Sequence, residues 1–181
     1  MRCRPIQRAI GLVAVLPRCA SVVIAVYDQE MNEVLALLLA NLDHAYDRRG
    51  WHGTSLRGSL RGMTGERALR RPAKGRHNVW ELTAHAAYWK YAARNKLVGG
   101  KRGSFTLKGS NWFASPASVD EAAWRALVAL LDREHRLLRA AIESMTDADL
   151  RDPKKLRLVY GVAAHDVYHT GQIQLVKRMI G

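Results

Sequence analysis

Two histidines four residues apart, His165 and His169, lie in the stretch VAAHDVYHTGQIQLVKR, followed by Gln172. On a helix, residues at i and i+4 share one face a single turn apart. Two imidazoles so placed can reach one ion. Imidazole suits zinc, nickel, iron and copper, whereas carboxylate-rich sites suit magnesium and calcium. The same pair also fits two ordinary core histidines satisfied by hydrogen bonds, and the spacing alone leaves both readings open. A third ligand has to come from another segment.

The chain holds seven histidines: His44, His52, His77, His85, His135, His165 and His169. His85 is the best-placed third ligand, mid-segment in WELTAHAAYW near an apolar face between Leu82 and Trp89. Imidazoles on two apolar faces are costly to bury without partners, and a shared ion would satisfy them together. His135 lies on another apolar stripe, with Leu131 and Leu138, and reads as a hydrogen-bonded boundary histidine. His77 directly precedes a helix cap and is expected to be exposed.

The elements that must position these residues are helices. Val34, Leu35, Leu38, Leu39 and Leu42 recur with helical spacing and predict a first helix over about 32–47. Gly50 and Gly53 break it, and SLRGSLRGM resumes as at most a short helix. Asn78 and Glu81 form a capping-box pattern, which predicts a second helix running to about Lys96 and stopping at Gly99-Gly100. Residues 99–117 read as a long loop whose Phe105, Trp112 and Phe113 should lie against the body. Ser118 and Glu121 suggest a second capping box, opening a third helix whose stripe runs through Trp124, Leu127, Leu131, Leu138, Ile142 and Met145. Asp152 and Pro153 predict the start of a fourth helix, ending near Ile180. Its inward stripe is Leu158, Val162, His165, His169, Gln172 and Val176. Four striped helices without a convincing sheet imply an all-α bundle.

The chain's 181 residues suffice for one domain with a real core. Its net charge of +13 favours anionic neighbours. The densest basic run, residues 57–76, carries no nucleic-acid-binding motif and reads as a solvated surface rather than a phosphate-contacting patch. Only two cysteines, Cys3 and Cys19, are present, so there is no disulfide framework. No apolar run is long enough to span a bilayer, and a cytoplasmic protein is expected. Residues 1–30 differ in character: an Arg-rich start, two apolar runs split by Pro17-Arg18, and a β-branched VVIAVY that would suit a strand but has no partner. We expect 1–30 to be an extension outside the functional domain of 31–181, with translation starting at Met31 as one account. The domain itself keeps 25 basic residues against 14 acidic ones.

HNVWELTAHAAYW, followed much later by GVAAHDVYHTGQIQLVKR, closely resembles the DinB-like (DinB/YfiT) superfamily, and WHGTSL and the NW of the long loop fit the same pattern. The resemblance covers roughly 31–181. It implies a four-helix bundle, up-down-down-up, with a long loop between helices two and three. It also implies a divalent metal, zinc or nickel first among the candidates, held by His85, His165 and His169, and a homodimer. Some relatives are thiol transferases that use a low-molecular-weight thiol and others are regarded as hydrolases. The resemblance therefore allows a metal-dependent enzyme acting on a small molecule, or a non-catalytic, stress-associated module whose metal staples the bundle. Nucleic acid is not an expected partner despite the basic charge.

No general base stands out. Gln172, one turn past His169, is a candidate for holding a ligand, water or substrate. Glu81 is either a carboxylate orienting His85 or a capping residue, the second being simpler. Asp166 points away from the ligand face, and Tyr168 sits at its edge, where packing is the simpler role. Trp51, His52 and Trp112 are candidate pocket walls.

Overall fold

The computed structural model describes residues 17–100, 103 and 105–181, with side chains described from residue 31 onward except that of Asn32. Four long helices form the body: α1 (Pro17–Tyr46), α4 (Val79–Val98), α5 (Glu121–Glu143) and α7 (Pro153–Met179). Three short ones, α2 (Leu56–Ser59), α3 (Gly65–Leu69) and α6 (Asp147–Leu150), fill the connections. No strand occurs among the described residues.

Side-chain pairings fix the directions. Lys90 and Arg94 of α4 meet Asp166 of α7 and Glu134 of α5 respectively, while Lys90 also approaches His135 of α5. The cap of α4, Asn78, donates to the Leu69 carbonyl of α3, and Glu121 at the start of α5 accepts the Gly65 amide of α3, so these two helices run parallel. Tyr46 and Asp43 of α1 bond Asp132 and Arg139 of α5 in reversed order, which makes α1 antiparallel to α5. Val79 and Leu82 of early α4 share a core with Ile173 and Val176 of late α7, whereas Ala93 of late α4 shares one with Val159 and Val162 of early α7. The order is therefore up-down-down-up. Parallel neighbours explain the long 99–120 connection, because it must return the length of α4, about 30 Å.

Local chemistry explains most boundaries. Asn78 accepts from the Glu81 amide at 2.9 Å, and the Glu81 carboxylate reaches back to the Asn78 amide, completing the expected capping box. Gly99, at φ 66°, closes α4 in the left-handed conformation that glycine tolerates. Asp152 caps α7 with Pro153 in its first turn, as expected. The cap of α5 differs from expectation: it is Asp120, not Ser118, and it accepts from the Ala123 amide at 2.7 Å. Glu121 instead accepts the Gly65 amide at 2.6 Å and ties α3 to α5. The β-branched residues 22–27 lie within α1, not in a strand. With no neighbouring strand to satisfy the backbone, the helix is the conformation that pairs its own amides. Met31 is likewise interior to α1, and residues 1–16 lie outside the described residues.

The core has two halves. Leu56, Val79, Leu82, Trp124, Leu131 and Ile173 fill one, and Leu42, Leu138, Ile142, Val159 and Val162 the other. Phe113 is buried and Phe105 packs against the same core, so the loop aromatics do lie against the body. Between the two halves, α4 and α7 carry polar side chains inward.

Candidate metal centre

Helix α4 presents His85, and α7 presents His165 and His169 one turn apart. Their Nε2 atoms converge: His165 lies 3.1 Å from His85 and 3.0 Å from His169. Among the described residues this is the one group of three ligating side chains close enough to share an ion. A tetrahedral ion about 2.1 Å from each nitrogen would space its ligands by roughly 3.4 Å, close to the two separations through His165, and all three ligand atoms lie within 4.8 Å of one another.

The outer nitrogens support the same reading. The His85 Nδ1–H donates to the Asn111 carbonyl at 2.8 Å, and the His169 Nδ1–H donates to Gln172 Oε1 at 2.7 Å. Both acceptors are oxygens without a proton, so each ring keeps its proton on Nδ1 and turns an Nε2 lone pair inward. His165 could donate one proton to one neighbour but not to both, and its own Nδ1 is buried without a partner. A cation at the centre would satisfy all three lone pairs, and three imidazoles are a donor set for zinc, nickel, iron or copper rather than magnesium. Burial, with smaller effects from neighbouring imidazoles, holds His165 down at about 3. His169 is held at about 4, chiefly by burial, with the Gln172 bond opposing. Burial also lowers His85. All three are thus neutral near pH 7, the form that ligates.

One face of the centre is built by the 99–120 segment. Trp112 stacks flat on His85 at 3.9 Å and, on its other face, on His77 at 3.7 Å. Asn111, at φ 63°, directs its carbonyl to His85 while its side chain accepts the Trp89 indole N–H at 3.0 Å. His77 bonds Glu81, which Arg71 also grips. Burial opposes Glu81 ionisation, but the Arg71 and His77 bonds outweigh it and hold the carboxyl at about 2. Glu81 therefore caps α4 and anchors His77, and does not contact His85.

The centre opens into a cavity of about 460 Å³ walled by Trp89, Trp112, Leu158, Val162, Arg157 and Tyr168. Of the expected walls, Trp112 is present. Trp51 and His52 are not: they are exposed on the turn after α1, where Gly50 and Gly53 pair, and Trp51 is fully solvent-facing. Nothing in an exposed turn between two glycines obliges a tryptophan to fold inward. Gln172 links His169 to Tyr168, whose hydroxyl accepts from Gln172 Nε2 at 3.1 Å. Asn111, Trp89 and Arg157 were not singled out from the sequence. Trp89 stood on the His85 face; Asn111 and Arg157 carried no pattern of their own.

The basic run 57–76 is largely paired within the molecule. Arg57 bridges Asp132 at 3.0 Å, Arg70 bridges Glu66 at 2.7 Å, Arg71 holds Glu81, and Arg67 donates to the Gly181 carbonyl at 2.7 Å. Among the described residues no helix is long and apolar enough to cross a membrane. The chain has no match among the curated proteins and none among the solved structures. The family model of the DinB superfamily matches residues 51–173, a span that includes all three converging histidines and most of the bundle, and the chain belongs to that superfamily.

Proposed function

We propose that His85, His165 and His169 hold one divalent transition-metal ion, zinc or nickel, and that the site is catalytic. The observation that carries this is the trio of inward lone pairs, two fixed by Nδ1 bonds, at the end of an open cavity. Three protein nitrogens leave coordination positions free, as catalytic sites require and structural sites do not. Such an ion supplies Lewis-acid activation of a nucleophile, a thiol or water, near neutral pH. The chain's own residues do the rest. Asn111 and Gln172 hold the rings in register, Trp112 shields His85 from solvent on one face, and Tyr168 places a hydroxyl at the cavity edge. A metal-dependent transferase using a low-molecular-weight thiol, or a hydrolase, acting on a small molecule is the reading these features support.

The alternative is a stapling metal that joins α4 to α7 in a stress-associated module without turnover; the cavity beside the centre favours catalysis over it. Elemental analysis of purified protein, with activity assays across thiols and electrophiles, tests both. Metal content near one per chain with turnover abolished in His169→Ala supports catalysis. Metal without turnover, and a large loss of melting temperature on chelation, supports stapling.

We also propose a homodimer through the outer face of α7, where Tyr160, Leu175 and Met179 are exposed; sedimentation equilibrium measures it. The domain of 31–181 and a cytoplasmic setting belong to the same reading, the first supported by a family match lying wholly inside it. Internal pairing of the 57–76 cations argues against a nucleic-acid role.

A further inference from the structure

We propose that the cavity beside the three histidines binds an amphipathic organic anion, with its carboxylate on Arg157 and its apolar body against Trp89, Trp112 and Val162. This deepens the metal-site reading and rests on it only for what meets the far end of the ligand.

Arg157, Gly161, His165 and His169 are spaced by four along α7, and all four line the same cavity. Arg157 stands about 12 Å along the axis from His165. Between them is a glycine, and a Cβ added at Gly161 would meet nothing within 4 Å. The helix therefore offers an open floor between a cation and the ligating nitrogens. Tryptophan and aliphatic walls flank that floor, a surface for an apolar or aromatic body.

The charge at the mouth is unspent within the molecule. Among the described residues, Arg157 and Lys154 make no ion pair, in contrast to the paired cations of 57–76. Lys96 and Lys154 line an adjoining cavity of about 420 Å³ that shares Arg157 and Leu158 with the first. The acids nearby are engaged: Asp152 caps α7 by accepting the Lys154 amide at 2.8 Å, and Asp149 pairs with Lys155. A guanidinium presents paired N–H donors matched to a carboxylate. A substrate and a thiol cosubstrate share this carboxylate chemistry, so the site is defined by the shared anion.

Calorimetric titration with 3-phenylpropanoate and its neutral isostere 3-phenylpropanamide tests this on zinc-loaded and chelated protein. The acid should bind about tenfold tighter than the amide, and added salt should weaken the acid alone. Arg157→Gln should remove the preference while leaving amide affinity and zinc content unchanged. Gly161→Leu should block both probes with the fold and zinc content intact, since leucine favours a helix interior. Equal affinities in the unaltered protein, or no binding of either probe at millimolar concentration, would overturn the proposal. So would an acid preference that survives Arg157→Gln and vanishes in His169→Ala, because the metal would then be taking the carboxylate. An Arg157-dependent preference in protein that binds no zinc supports this proposal and sinks the metal reading instead. Comparing the same acid with a thiol-bearing acid then separates the two sources, since tighter binding of the thiol only when zinc is present identifies the cosubstrate.

Discussion

His165 and Asp166 are neighbours in sequence, yet they enter two polar clusters built by the same pair of helices in opposite ways. His165 joins His85 and His169, whose ring nitrogens converge closely enough to share a metal ion. Asp166 meets Lys90 of α4, both fully buried. The Lys90 ammonium also lies 3.4 Å from His135 Nδ1 and 4.6 Å over the Tyr46 ring. Tyr46 in turn stacks on His135 and donates to Asp132, which Arg57 grips from α2. The second cluster carries its own cation and closes over it. The first would take a cation from outside, and a cavity of about 460 Å³ lies beside it. Buried polar groups thus take two forms in this bundle: one pairs a carboxylate with an internal cation, although Asp166 Oδ1 is left without a hydrogen-bond partner, and the other gathers three imidazoles that could share a metal ion.

The largest expected effect comes from breaking the closed cluster. Asp166→Ala leaves the Lys90 charge buried without its carboxylate, which costs about 3–5 kcal/mol. For a domain of this size that lowers the melting temperature by roughly 6–20 °C. The double variant Lys90→Met with Asp166→Leu should recover most of it, because the penalty lies in the unpaired charge and not in the missing pair. A double variant as unstable as the single one would show that the ion pair itself holds the bundle, and would erase the contrast with the open centre.

The open centre should respond to loading instead. An ion at a hundred times its dissociation constant stabilises the fold by about 2.7 kcal/mol, or roughly 5–10 °C. Chelation should therefore lower the melting temperature of the unaltered protein by that amount and leave His169→Ala unmoved. His169→Ala should still show the helical circular dichroism of the bundle. An equal response to chelator in both proteins would remove His169 from the ligand set.

The two regions were not equally legible in the sequence. The three-histidine cluster was, because His165 and His169 follow helical spacing, His85 lies mid-helix beside an apolar face, and the caps at Asn78 and Asp152 locate the helices that carry them. The closed cluster was not. No pattern in the sequence singles out Lys90, and Asp166 is placed only off the ligand face beside His165; the packing of α7 against α4 makes them meet. The cap of α5 shows the same limit, since Ser118 and Asp120 both suit an N-cap and the tie from Glu121 to Gly65 decides between them. The loop contacts were half legible. The aromatics of 99–117 had to be buried, but nothing local said that Trp112 would slide between His77 and His85, or that Asn111 would turn left-handed to aim its carbonyl.

Acid should act on the closed cluster through His135. Burial, assisted by the Lys90, Arg139 and Arg136 cations, holds this imidazole at about 2, against about 6.5 in an unfolded chain. Below pH 6.5 the unfolded chain takes up a proton that the folded one refuses, so stability is fully present above that pH and falls as pH drops toward 2. The loss should reach up to about 2 kcal/mol at pH 5. His135→Phe keeps a ring against Tyr46 and removes the titration, so its melting temperature should fall less between pH 7 and pH 5. Both proteins must be measured with chelator, because metal-free His165 and His169 add slopes of the same sign and only the difference isolates His135. Parallel slopes in the two proteins would mean that the closed cluster does not resist protonation as its burial requires.

The smallest effect lies at the seam, where the 99–120 segment walls the open centre. Trp112 is 37% exposed, yet it sits flat between two imidazoles, and an aromatic contact of this kind is worth about 0.5–1.5 kcal/mol beyond its buried area. Trp112→Ala should leave the Asn111 carbonyl on His85, so the ring keeps its tautomer but loses the plane that limits its tilt. Zinc affinity should then weaken by roughly 2–12-fold, measured by competition with a chromophoric chelator, while stability in the presence of chelator changes little. The closed cluster has no such seam: all its members but Arg57 project from the four long helices, and no loop substitution should reach it. If Trp112→Ala instead destabilises the chelated protein as much as it weakens zinc binding, the tryptophan serves the core and not the centre. The metal site would then be a product of α4 and α7 alone, as rigid as its neighbour and different from it only in lacking a lysine.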